Sequence, residues 1–364
     1  MRIKDITNFL EEFAPLSYQE SYDNSGLMVG EPSAEFTSGL ITLDITEDVI
    51  EEAIAGKHNL IIAHHPLIFK GLKKLNGKHW VERCVLKAIK HDIALYAIHT
   101  NLDHVQKGVN KRICDRLGLK NTQILSPKSD ILTKLVTFVP TSETQNVLDK
   151  LFEAGAGEVG NYDHCSFRVE GQGTFRPGEL SNPHIGNRNQ DELVTENRVE
   201  VIFPTFMTHK ILKALTESHP YEEVAYYLTS LSNKTQDVGA GMVGDLENEM
   251  EPITFLQQLK KVMKTDCVRH TSIHTDKVKK IAVCGGAGSF LLSKAMGAGA
   301  DVFITGDFKY HDFFEADKKV IIADIGHYES EQFTKELLYD ILSKKFTNIA
   351  LRLSEVQTNP INYL

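Results

Sequence analysis

The sequence predicts an α/β protein: a core domain of two related β/α halves, interrupted by an α+β inserted domain with a ferredoxin-like order of elements. Three observations carry that prediction. Short apolar runs rich in β-branched residues recur at 60–63, 93–98, 301–305 and 319–323, as expected of strands covered on both faces. Each run leads into a polar tip, at 64–65, 99–104, 306–312 and 324–331, and the succession strand, helix, strand, tip, helix, strand, tip, helix occurs once early and once late in the chain. Between the two copies the order changes to βαββαβ, that of a ferredoxin-like unit. The expected boundaries are therefore 1–128 for the first half, 129–236 for the insert and 237–364 for the second half.

Residues 3–13 place Ile3, Ile6, Phe9, Leu10 and Phe13 on one face of a helix. A polar turn from Ser21 leads into a short strand ending near Gly30. A strand at 39–43 precedes a helix reaching about Ala55, with Thr46 as its N-cap. In Leu60-Ile-Ile-Ala-His-His-Pro-Leu-Ile68, Pro66 cannot continue a ladder, so His64 and His65 fall at or just past the strand's C-terminal end. A helix at 79–91, a strand at 93–98, the tip His99-Thr-Asn-Leu-Asp103-His104 and a helix at 108–117 closed by Gly118 complete the first half. The insert reads as strand 133–140, helix 143–154 capped at Thr141 or Ser142, strands 166–175 and 198–204, helix 208–218 and strand 224–231. Glycines 239, 241 and 244 mark the return. Strand 278–284, a turn at Gly285-Gly-Ala-Gly288, helix 289–298, strands 301–305 and 319–323, and a helix from His327 to about 343 make the second half.

A chain of 364 residues is too long for one ordinary core. A formal net charge of −9, with no long Lys/Arg run, argues against binding nucleic-acid backbones but leaves small nucleotides open. Five cysteines without C-x-x-C spacing, behind an N-terminus that reads as an amphipathic helix and not as a secretory leader, suggest reduced thiols. No run approaches the roughly 18 apolar residues of a membrane span. The expectation is a soluble, cytoplasmic protein.

Ligands of open α/β sheets bind beyond the C-terminal strand ends. His64, His65, Asp103, His327 and Glu331 all fall on such tips, expected on one sheet. Neighbouring residues of an extended segment point opposite ways, so His64 and His65 can serve two centres, while His327 and Glu331 share a helix face. Three imidazoles and two carboxylates suit Zn²⁺, Fe²⁺ or Mn²⁺. One catalytic ion takes about three protein ligands, so five point to two divalent ions with a bridging carboxylate, a geometry that activates water. Asp307 and His311, on another tip, are candidate catalytic residues for proton transfer or substrate contact. His99, four before Asp103, reads either as a residue that orients a ligand or as a hydrogen-bonded turn histidine. Gly285–Gly288 lacks both the third glycine of a dinucleotide fingerprint and a Walker lysine, so it reads as a tight turn. His219-Pro-Tyr-Glu-Glu223 reads as a proline-bounded turn, Asp324 as a loop cap, and Glu47, Glu51 and Glu52 as solvated surface. The reaction expected is metal-dependent hydrolysis of a nucleotide-like or phosphoester small molecule. The alternative is a non-enzymatic regulatory or scaffold assembly whose insert senses a ligand or partner.

Four stretches, SYDNSGLMVG at 21–30, IIAHHPLIF at 61–69, HTNLD at 99–103 and ITGDFKYHDF with DIGHYESE at 304–313 and 324–331, resemble the NIF-three-like family, known in bacteria as GTP cyclohydrolase 1 type 2 homologues. The resemblance covers nearly the whole chain, and the middle region looks like the PII-like or CutA-like insert of the longer members. It implies that His65, Asp103 and Glu331 hold one metal, that His64, His327 and the same Glu331 hold the other, and that the chain self-associates into a hexameric ring with metal sites facing an internal cavity. It does not imply a particular reaction.

Overall fold

The computed structural model describes residues 1–364, which divide into two compact units: Met1–Pro127 together with Gln236–Leu364, and Lys128–Thr235. No helix is long and apolar enough to cross a membrane, and all five cysteines are free.

The larger unit holds two sheets, not one. In the first, strands Gly39–Thr42, Leu60–Ala63 and Ala94–Ala97 run parallel, flanked by Gly26–Val29 on one side and Leu351–Leu353 on the other. In the second, Val278–Ala287, Val302–Gly306 and Ile321–Asp324 run parallel. Antiparallel Gly239–Met250 and Lys120–Pro127 extend that sheet at one edge and Arg269–His270 at the other. The three parallel strands of the first sheet are buried along their length because both of their faces are covered. Alternation sends Ile61 and Ala63 against Val49, Ile50 and Ala53 of helix Glu47–Ala55 and against Val85 and Ala88 of helix Trp80–Lys90. It sends Leu60 and Ile62 into a shared core with Ile281, Val283 and Ile304 of the second sheet. Helices Ile3–Phe13, Val109–Leu117, Pro252–Val262 and Thr334–Lys345 add Ile6, Ile113, Leu259 and Leu338 to that core. The parallel strands of both sheets therefore end in loops anchored on one packed core.

Several local expectations change. Thr46 does cap its helix, accepting from the Val49 N–H at 3.3 Å, and Gly118 ends helix Val109–Leu117 in the left-handed region. The expected turn at 285–288 is largely strand, because Val278–Ala287 runs through two of its glycines. The helix expected from His327 breaks after one turn into His327–Glu331 and Thr334–Lys345. Neither Thr141 nor Ser142 caps helix Thr144–Glu153, whose first turn follows Glu143 with no side-chain cap.

The smaller unit contains strand Leu132–Pro140, helix Thr144–Glu153, strands Phe167–Phe175 and Glu192–Pro204, helix Thr208–Ser218 and strand Tyr226–Leu231. Its sheet runs Phe167–Phe175, Glu192–Pro204, Leu132–Pro140, Tyr226–Leu231, antiparallel throughout. One face packs Leu135, Val139, Val199, Val201 and Phe203 against Val147, Leu151, Ile211 and Leu215 of the two helices. The unit has its own core.

Candidate metal centre

Beyond Ala63 the chain stays tied to the neighbouring strand Gly39–Thr42 and its extension, with the His64 N–H donating to the Thr42 carbonyl at 3.3 Å and the His65 N–H to that of Leu43 at 2.9 Å. Both histidines are thus fixed at the backbone before Pro66 ends the strand. His64 is fully buried, and its Nδ1 donates to the Ile98 carbonyl at 2.8 Å. A carbonyl only accepts, so Nδ1 carries a proton, and in the neutral ring Nε2 presents a lone pair. That lone pair lies 3.6 Å from Asp103 Oδ1 and 3.7 Å from Glu331 Oε1, and neither His64 Nε2 nor Asp103 Oδ1 has any hydrogen-bond partner. Buried acceptors facing one another without a proton or cation between them are costly. Two donors about 2.1 Å from one tetrahedral ion are about 3.4 Å apart, so these atoms are spaced as an ion's ligands would be. The residues fit a metal.

Glu331 is 2% exposed and its other oxygen faces two more imidazoles, His65 Nε2 at 2.9 Å and His327 Nε2 at 3.2 Å. Each of those rings is held from behind by a carboxylate: His65 Nδ1 donates to Asp44 Oδ1 at 2.7 Å, and His327 Nδ1 to Asp307 Oδ2 at 2.7 Å. Burial alone would lower the His65 pKa, but the bonds to Asp44 and Glu331 push it up to about 10. The charge on Glu331 raises His327, against burial, to about 11. Burial and then Glu331 raise Asp103 to about 7. Burial opposes ionisation of Glu331 as well, yet His327 beside it holds it well below the usual carboxylate range. Without metal the cluster is a set of carboxylates stabilised by protonated imidazoles.

The close approach of Glu331 depends on glycine. Gly286 has φ +62°, and a Cβ there would lie 2.5 Å from Glu331 Oε1. The Gly286 N–H also donates to Ser330 Oγ at 2.9 Å, fixing the turn that carries Glu331. The glycine stretch read as a tight turn is thus the wall against which the buried glutamate packs.

The structure brings together all five sequence-nominated ligands, drawn from two sheets. His64, His65 and Glu331 offer donor atoms that all lie within 4.8 Å of one another. The distances place Asp103 and Glu331 Oε1 against His64, and His65 and His327 against Glu331 Oε2; the family resemblance groups them differently, His65 with Asp103 and His64 with His327. Asp307 joins the cluster through His327. His311 does not: it is exposed on the 3₁₀ segment Tyr310–Ala316, its ring beside Tyr310 and Phe314. His99 donates from Nδ1 to Asp23 Oδ1 at 2.7 Å and meets the rings of His64 and His65 at 5.3 and 5.2 Å. Asp324 caps a loop, accepting from the Gly326 N–H at 3.0 Å.

Asp44 and Asp23 escaped the sequence reading. Asp44 lies just past strand Gly39–Thr42, the neighbour of the strand that ends in His64, and that position was the available signal. Asp23 lies in a turn, and nothing in its spacing points to His99. The cluster opens into a cavity of about 750 Å³, with Tyr22, Phe69, Phe290 and Tyr328 among its walls.

The chain is thus a mixed α/β protein with a candidate metal-binding cluster, His64, His65 and Glu331, at its strand ends. The family model of Duf34/NIF3 (NGG1p interacting factor 3) matches residues 1–360, and the chain belongs to that family. It is 38% identical over 367 residues to a GTP cyclohydrolase 1 type 2 homolog of Bacillus subtilis, covering 99% of this chain and 98% of that one. Among solved structures, a Bacillus cereus protein related to NIF3 matches with a TM-score of 0.86 and 37% identity, covering 100% of this chain and 99% of that one. A Staphylococcus aureus protein matches with 0.79 and 32%, again over 100% and 99%.

Proposed function

We propose that the chain is a dinuclear metal-dependent hydrolase acting on a nucleotide-like or phosphoester substrate. The observation that carries the reading is the pair of orphaned buried atoms, His64 Nε2 and Asp103 Oδ1, facing Glu331. His64, Asp103 and Glu331 would hold one divalent ion, and His65, His327 and Glu331 the other. Zn²⁺, Fe²⁺ or Mn²⁺ in these positions would supply Lewis acidity and make water a usable nucleophile near neutral pH.

The chain's own residues prepare that chemistry. The Ile98 carbonyl fixes the His64 tautomer, while Asp44 and Asp307 do so for His65 and His327 and raise their basicity. Glu20, Asp44, Asp103, Asp307 and Glu331 line the cavity, with no lysine or arginine among the lining residues. Such a wall repels an anionic substrate until cations are bound, so phosphate affinity would depend on the metals. The aromatic walls suit a planar base. Of the two residues nominated for proton transfer, Asp307 is the one in contact with the cluster.

We further read residues 129–236 as a ferredoxin-like, PII/CutA-like domain inserted between related halves 1–128 and 237–364, on the antiparallel βαββαβ order and the separate core. By family resemblance the chain would form a cytoplasmic hexameric ring. The separate core also favours a second reading, a metal-containing regulatory assembly. A panel of nucleotides and phosphoesters assayed with metal-loaded protein tests the first reading: turnover lost on chelation and restored by metal supports it, and no hydrolysis of any member defeats it.

A further inference from the structure

A second cavity, of about 1050 Å³, lies wholly within the smaller unit. Its floor is Glu196, 8% exposed although it points away from the apolar core. Along strand Glu192–Pro204, Val199, Val201 and Phe203 face the helices, so the opposite alternation sends Glu196 to the other side of the sheet. There it is paired in register with Gly171, and a Cβ at Gly173 would overlap Glu196 Oε2. The two glycines hollow the sheet beneath the carboxylate.

Tyr221 Oη donates to Glu196 Oε1 at 2.9 Å, and no lysine, arginine or histidine pairs with the carboxylate. His219, whose ring meets that of Tyr221 at 5.0 Å, is satisfied as a neutral ring: Nε2 donates to the Phe138 carbonyl at 2.9 Å and Nδ1 accepts from the Tyr221 N–H at 3.1 Å. The cavity's two arginines are engaged with other carboxylates. Arg198 bonds Glu200 at 2.9 Å, and Arg176 holds Asp191 through two bonds of 2.7 and 2.6 Å. A buried carboxylate with one neutral donor and no counter-charge is expensive to maintain in a folded protein. Around it stand Phe138, Phe175, Tyr221 and Tyr227, with Phe175 and Tyr221 ring centroids 5.9 Å apart. Aromatic faces beside a carboxylate attract an organic cation, whose charge they share and whose stem they cover.

We propose that this cavity binds a small organic cation, its ammonium or guanidinium group held by Glu196 and its stem against Phe138, Phe175 and Tyr221. The site is separate from the metal cluster and does not depend on the hydrolase reading.

Agmatine, which carries a guanidinium and an amine, is the probe, titrated calorimetrically into the full-length protein. Binding should persist in Glu331→Gln, which alters the metal cluster, and weaken about tenfold or more in Glu196→Gln, which loses a charged hydrogen-bond partner. Tyr221→Phe removes only the hydroxyl that holds the carboxylate and should weaken binding by a smaller factor; it keeps the test decisive if Glu196→Gln does not fold. N-butylurea, similar in shape but neutral, should not bind. Absence of agmatine binding overturns the proposal, as does binding that Glu331→Gln abolishes and Glu196→Gln leaves unchanged. Equal affinity for N-butylurea also overturns it, since charge would then not be read. Glu196-dependent binding of ZnCl₂ or MgCl₂ without agmatine binding would make this an inorganic cation site instead.

Discussion

Asp44→Asn isolates the contribution of the carboxylates that stand behind the imidazoles. Asparagine keeps the size of the side chain. Its amide oxygen can still accept from His65 Nδ1, and its amide nitrogen can reach Thr358 Oγ1, which donates to Asp44 Oδ2 at 2.6 Å in the wild type. What disappears is a negative charge 2.7 Å from the ring nitrogen. A hydrogen bond to a charged group contributes about 1.5–3 kcal/mol, equivalent to about 10- to 100-fold in affinity. The same range is found when the partner of a metal-binding imidazole is removed. Asp44 is 33% exposed, so water takes up part of the lost charge and the expected loss is at the lower end, about tenfold. Asp44 hydrogen-bonds to His65 and to no other member of the cluster, so the loss should fall on one ion. The site built on His64 and Asp103 should keep its affinity within about twofold. Zn²⁺ titrated into chelator-stripped protein at pH 8 should give two binding steps, one of which shifts in the variant. Equal weakening of both steps, or a shift of neither, would refute the reasoning.

Metal binding should release protons. Without metal, His65 is charged up to about pH 10 and His327 up to about 11, and both must become neutral to ligate. At pH 8, where Asp103 at about 7 is already largely ionised, titrations in buffers of different ionisation enthalpy should report about two protons released per chain, and affinity should climb with pH towards 10. The sign for stability is the reverse. A raised histidine pKa stabilises the metal-free fold below the unfolded value near 6.5 and through neutrality, and that contribution is lost as pH rises through about 10, which thermal melts of stripped protein at pH 8 and 10.5 should display. Gly286→Ala should cost about 1–2 kcal/mol for the left-handed backbone alone and should also lower metal content, because the new Cβ displaces Glu331; an unchanged melting temperature and full metal loading would contradict the packing account.

Where one local cause dominates, the sequence and the structure agree. Helix Ile3–Phe13 follows from its apolar spacing, and strand Leu60–Ala63 from its β-branched run ended by Pro66. All five nominated ligands lie at the ends of such elements, which is why they converge. Strand exchange between the two sheets was not legible. Lys120–Pro127 comes before the insert yet joins the second sheet, and Leu351–Leu353 comes last yet joins the first; such pairings are fixed by tertiary contact and leave no periodic trace. Strand Gly239–Met250 was hidden by its glycines and acidic residues. Asp44 and Asp23 act through contacts 21 and 76 residues away in sequence, beyond the reach of any spacing rule. His311 lies on the same tip as Asp307, but a 3₁₀ segment carries it to the surface, away from the cluster.

The proposed centre requires Glu331 to bridge two ions. Elemental mass spectrometry of purified wild type and of Glu331→Gln counts those ions. About two metal equivalents per chain in the wild type, falling sharply in the variant, is the result the structure predicts. Zero or one equivalent, unchanged by the substitution, would contradict it.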